Sequence, residues 1–220
     1  HEKIVKKFCN PILKKLEENK CKIYGDPLLN KYYKGKIMYF KKIFKPFENI
    51  QNINEVKSFY DAIVSLARNP VLYTKGGVPD TLDGRFELIV LHCHFFIRRL
   101  VSVGHTEKEF SQKVINYMVT DFDRSLRELG AGDLSVGKKI KFMVSAYYGR
   151  ANAYDRAIKE NCKTLDDVLK KNLYGTNVPK DEEIKFIKKY IKNLLIFINS
   201  TDDNKVKDIF KNNIVIEKII

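Results

Sequence analysis

The sequence predicts an all-α protein, a single multi-helix bundle around a central helix over residues 86–101 that is apolar on almost every side. Three observations lead there. Apolar residues recur at three- and four-residue spacing through successive stretches, the period of an amphipathic helix. Residues 86–101 place Phe86, Leu88, Ile89, Leu91, Phe95 and Ile97 around the whole helix circumference, and such a helix belongs inside a bundle. Helix start and stop signals separate the stretches, and no sheet is evident.

The chain has 220 residues, enough to bury a core, and its 44% hydrophobic content is that of a globular protein. Cys9, Cys21, Cys93 and Cys162 lack CxxC spacing, which argues against structural zinc and a disulfide framework and for reduced thiols in a cytosolic compartment. The longest apolar run, residues 88–97, falls well short of the ~18 residues a membrane span needs. The net charge is +14, and residues 1–79 supply most of it with 16 basic against 7 acidic side chains. Such an excess favours anionic partners: nucleic acid, ribosome or membrane surface.

Taken in order, the first stretch reads as a short amphipathic helix rather than a secretory signal, with Ile4, Phe8, Ile12 and Leu16 near helical spacing. A turn at Gly25–Pro27 precedes a basic aromatic helix over 28–45, where Lys31, Lys34, Lys41 and Lys42 interleave with Tyr32, Tyr33, Tyr39 and Phe40. These lysines are candidate partner-binding residues for headgroups or RNA phosphates. The same pattern also describes an ordinary helix with solvated lysines. Asn54 is placed to cap a helix over 55–68, ended by Asn69-Pro70. Asp80 or Thr81 opens the central helix, and acids there suit the positive helix terminus. His92 and His94 point in different directions on that helix, so they cannot chelate one ion and read as core histidines. Thr106 is expected to cap the next helix with Glu109 completing a capping box, and its core stripe runs from Phe110 to Leu126 and Leu129. Gly130 should end it as a left-handed cap.

Residues 132–139 match G-x-x-x-x-G-K. The phosphate-loop reading fails because a helix rather than a strand precedes, and Lys139 stands where Ser or Thr is needed. The better reading is a helix–helix connection followed by a helix over 136–160, with a small-residue stripe at Ala146, Gly149, Ala153 and Ala157. Beyond it, shorter helices are expected over 165–173, 181–199 and 206–210, with an apolar tail. The expected division is a basic N-terminal helical region (1–54), a helical core (55–160) and a C-terminal helical appendage (161–220).

Two stretches carry a resemblance. Tyr60 to Pro70 (YDAIVSLARNP) leads into Val78 to Glu87 (VPDTLDGRFE), and Asp121 to Gly130 (DFDRSLRELG) leads into Gly132-Asp133-Leu134 and Val136-Gly137-Lys138-Lys139. With Tyr148-Gly149-Arg150 and Tyr154 they resemble the ubiquinol–cytochrome c chaperone family over roughly 58–160. The resemblance implies an assembly factor for the bc1 complex, of the type found in alphaproteobacteria, with no catalytic motif and no cofactor. Its implied partners are newly made cytochrome b or a bc1 intermediate, a small partner protein and the ribosome. The expected location is cytoplasmic, with peripheral contact to the inner membrane. No DNA is expected as a partner.

Tyr148, Gly149, Arg150 and Tyr154 are the other candidate partner-binding residues. Asp80, Asp83, Arg85, Asp121, Asp123, Arg124 and Arg127 are expected to form a buried charge network pinning helices together. The competing readings are a basic ribosome- or RNA-binding protein, and an enzyme using Asp80, Asp83, Asp121 and Asp123 as paired acids or metal ligands. Asp121 and Asp123 diverge on one helix, so the enzyme reading needs a further element; no catalytic residue and no metal is assigned.

Overall fold

In the computed structural model, residues 53–160, 162–175, 177–210 and 219 are described; the basic stretch with Lys31, Lys34, Lys41 and Lys42 lies outside them. Every regular element among them is helical. Helix α1 spans Ile53–Ala67, α2 Pro70–Thr74, α3 Leu82–Val103, α4 His105–Glu128 and α5 Asp133–Glu160. Helix α6 (Cys162–Leu169) runs into a π-helical turn, Lys170–Tyr174, and α7 (Asp181–Ser200) is followed by a 3-10 turn, Asp203–Asp208. None of the described helices is long and apolar enough to cross a membrane.

Helix α3 is the axle. Every residue from Glu87 to Ile97 is buried. Helices α1, α4, α5 and α7, the π-helical turn and the 3-10 turn all pack on it. A helix can be covered on all sides only if its circumference is apolar, which is the pattern read from its sequence. An aromatic cluster joins the layers: Phe59 of α1 lies 6.1 Å from Phe96, 5.4 Å from Phe110 and 5.2 Å from Phe210 between ring centroids. Phe96 and Phe210 are 4.7 Å apart, so the chain beyond α7 closes this core.

Local signals set the ends. The Thr81 hydroxyl accepts from the Gly84 amide at 3.1 Å and caps α3. A Cβ at Gly84 would lie 2.0 Å from the Pro79 carbonyl oxygen, so only glycine lets the preceding loop fold back on the first turn. Gly130 has φ +85° and ends α4 in the left-handed region as expected. Three expectations are corrected. Helix α4 begins at His105 after Gly104 with no side-chain cap, so Thr106 lies inside the helix. Leu129 is 60% exposed rather than core, because the Gly130 turn lifts it clear of the bundle. Helix α5 begins at Asp133 rather than 136, so residues 133–135, expected in the connection, form its first turn, and the rejected phosphate loop finds no loop here.

Candidate functional site

The conspicuous charges of the family motifs form local pairs on the surface. Arg85 donates to Asp80 at 2.6 Å, and both side chains are more than half exposed. Arg124 donates to Asp121 at 2.7 Å, and Asp121 also accepts from the Tyr60 hydroxyl at 3.0 Å, tying α4 to α1. Arg127 bonds Asp123 at 2.7 Å and also Asp133, stitching the end of α4 to the start of α5. Asp83 is exposed in the first turn of α3. The expected buried network is therefore corrected to three separate solvent-facing arrangements. Solvent screens such pairs, so they orient helix ends more than they stabilise the fold.

The buried polar groups lie elsewhere, in a seam between α3 and α5. Glu87, His94 and Arg98 stand at i, i+7 and i+11, which places them within a narrow arc of α3. Arg150 of α5 donates through Nε to both oxygens of Glu87, at 2.6 and 2.5 Å, and its guanidinium lies 5.6 Å from the Phe86 ring centroid. Burial pushes the Glu87 carboxyl above its ordinary range, even against the Arg150 charge and hydrogen bond. Asp155 accepts from His94 Nε2 at 2.9 Å and pairs with Arg98 at 3.4 Å. Burial pushes Asp155 up, but the His94 hydrogen bond and the charges of His94, Arg98 and Lys159 together hold it below the usual carboxylate range.

On the opposite side of α3, His92 is wholly buried. Its Nδ1 lies 2.7 Å from the Leu88 carbonyl oxygen and its Nε2 2.6 Å from the Tyr190 hydroxyl. A carbonyl can only accept, so Nδ1 carries the proton and Nε2 accepts from Tyr190. Burial lowers the His92 pKa to about 4, outweighing the Leu88 hydrogen bond, and the ring is neutral at pH 7. Cys93 is buried and its thiol pKa is raised by burial, so it is poorly disposed to react. Among the described residues no group of three or more His, Cys, Asp or Glu side chains could hold a metal.

Of the partner-binding candidates, Tyr154 is wholly buried and its hydroxyl has no hydrogen-bond partner among the described residues. It cannot meet a partner on this surface, because helical phase turns it onto α3, where it stacks beside His94 at 6.4 Å. Arg150 is mostly buried and engaged by Glu87. Tyr148 is half-buried beside Tyr147. Gly149 is exposed, with nothing near the place its Cβ would take, so no close internal helix explains it. Sequence reasoning places His94 in the core, as found, but misses Glu87 and Asp155. The signal was present: a lone glutamate inside an apolar helix must find a partner, and Glu87 repeats at helical spacing with His94 and Arg98.

The outer face of α5 combines exposed apolar and basic side chains. Leu134 is 95% and Phe142 72% exposed, beside exposed Lys138 and Lys139.

Fold and site together define an all-α bundle whose buried polar groups are engaged in locking helices to one another, with an apolar, basic face left outside. Residues 74–208 match the ubiquinol-cytochrome C chaperone family, and the chain belongs to it. The match starts later and ends later than the 58–160 span over which the motifs are legible. Among relatives, "Ubiquinol-cytochrome-c reductase complex assembly factor 1" of Xenopus laevis is 20% identical over 130 residues, which are 59% of this chain and 65% of that protein. The Mus musculus protein of the same description is 20% identical over 123 residues, 56% of this chain and 42% of that one. The chain thus spans less than two thirds of these relatives' length. A crystal structure of the Cbp3 homolog from Brucella abortus superposes with a TM-score of 0.63 at 24% identity, covering 81% of this chain and 92% of the other, a likeness of fold.

Proposed function

We propose that this protein is a non-enzymatic chaperone for assembly of the ubiquinol–cytochrome c reductase (bc1) complex, and that its client is newly made cytochrome b. The observation that carries the reading is the family match over 74–208, which runs from the end of α2 to the 3-10 turn and takes in α3 and every helix after it. Relatives described as assembly factors of that complex support it. The internal pairing of the buried polar groups fits a holding role, since Glu87, Asp155, His94 and His92 are committed to contacts between helices. A small partner protein, the ribosome and the inner membrane surface are further proposed contacts, with Lys31, Lys34, Lys41, Lys42, Tyr148 and Gly149 as residues to probe.

The test is recovery of the client. Pull-down of the tagged full chain from native membranes should bring down cytochrome b or a bc1 intermediate, and deletion of the gene should lower bc1 levels. Normal bc1 content in the deletion strain would sink the proposal.

A further inference from the structure

The α5 outer face presents a combination the core does not need. At 3.6 residues per turn, Leu134, Lys138, Phe142, Gly149 and Arg156 fall within an arc of about 80°. Leu134 and Phe142 are two turns apart and stand out into solvent at 95% and 72% exposure. Lys138, Lys139 and Arg156 are exposed on or beside the arc. Between Leu134 and Arg156 the one acid, Asp155, is buried against His94 and Arg98 and adds no negative charge to this face. Gly137 and Gly149 have open space where a Cβ would stand, so the helix backbone lies close to the surface between the protruding side chains. A third large apolar side chain, Leu129 at 60% exposure, stands at the α4–α5 corner.

We infer that this face is a membrane-docking surface that seats α5 on an anionic lipid headgroup layer, with Leu134 and Phe142 inserted and Lys138, Lys139 and Arg156 against lipid phosphates. Charge complementarity selects the occupant. Basic and apolar side chains on an arc free of unpaired acids between Leu134 and Arg156 are what an interfacial helix presents to anionic lipid. The shape agrees. The apolar groups project from a convex helix instead of lining a groove, so an apolar peptide would leave much of its own surface in water, whereas a fluid lipid layer closes around projecting side chains. An aromatic ring at headgroup depth is well placed. RNA would use the cations and the Phe142 ring but has no use for exposed Leu134. The inference deepens the membrane contact proposed above and is separable from the client, because lipid vesicles contain no cytochrome b.

The chain has no tryptophan, so Phe142→Trp gives a single reporter. The full-length variant is mixed with vesicles of phosphatidylcholine alone, or of phosphatidylcholine with phosphatidylglycerol. The expected result is vesicle binding with a blue-shifted Trp emission, quenched by brominated acyl chains, on the anionic vesicles only. A second variant, Leu134→Ser with Phe142→Ser, should keep its circular dichroism and bind those vesicles roughly tenfold or more weakly, as two fewer inserted side chains require. No binding, or binding that leaves Trp emission unshifted, overturns the inference; the latter would place the contact elsewhere, as on the lysine-rich N-terminal third. Undiminished binding by the double serine variant overturns it as well.

Discussion

Replacing Arg150 by methionine tests whether the α3–α5 seam is structural. The Glu87 side chain is 6% exposed and Arg150 23%, so neither partner is well solvated. Burial already lifts the Glu87 pKa in the intact pair, so its carboxylate is poorly stabilised by anything but Arg150. Removing one partner of such a pair costs about 3–5 kcal/mol, and the value should fall near the lower end because Glu87 can escape by taking up a proton. The sign with pH follows. In Arg150→Met the folded pKa of Glu87 rises further above its unfolded value, so the variant's deficit is largest at pH 7 and shrinks as the pH falls through that folded pKa. Glu87→Leu combined with Arg150→Met removes both charges and should recover to within about 1 kcal/mol of the native protein. Urea unfolding followed by circular dichroism at pH 7 and pH 5 gives all the numbers. A loss under about 1 kcal/mol for Arg150→Met, or a double variant whose loss equals the sum of the two single losses, would refute the reasoning.

Three further outcomes are expected. His92 should titrate in the folded protein near pH 4, and its stability contribution, up to about 3 kcal/mol, should be present above its unfolded pKa and lost as the pH falls from ~6.5 toward 4, because only the unfolded chain binds the proton there; an NMR midpoint above 6 would contradict this. Gly149→Ala should raise stability by about 1 kcal/mol, since the site is an open helix interior without positive φ, and a loss in thermal unfolding would show an unseen close contact. Tyr154→Phe should leave stability unchanged or raise it slightly, because the buried hydroxyl has no hydrogen bond to lose among the described residues; a drop of about 2 kcal/mol or more in urea would refute that.

The reading of Arg150 shows where sequence and structure part. The motif Tyr148-Gly149-Arg150 marks a special position, but a long guanidinium arm reaches equally to a partner or to a glutamate 63 residues away, and only packing decides. Asp121 and Arg124 went the other way. Their density suggested burial, yet Arg124 turns back three residues to Asp121 at the surface, because i,i+3 neighbours lie on one helix face.

The sequence alone determined the long helices, the central place of α3, its start at Asp80 or Thr81, the Gly130 end of α4, and the absence of a phosphate loop. These are local matters: hydrophobic period, cap chemistry and the φ a residue tolerates act within a few residues of the chain. Tertiary structure alone decided with whom the buried ionisable groups pair. Glu87 meets Arg150, His94 meets Asp155 and His92 meets Tyr190 across 61 to 98 residues. Helical phase says which side chains share a face, but not which helix will cover that face, and it was that choice which left Leu134 and Phe142 in solvent.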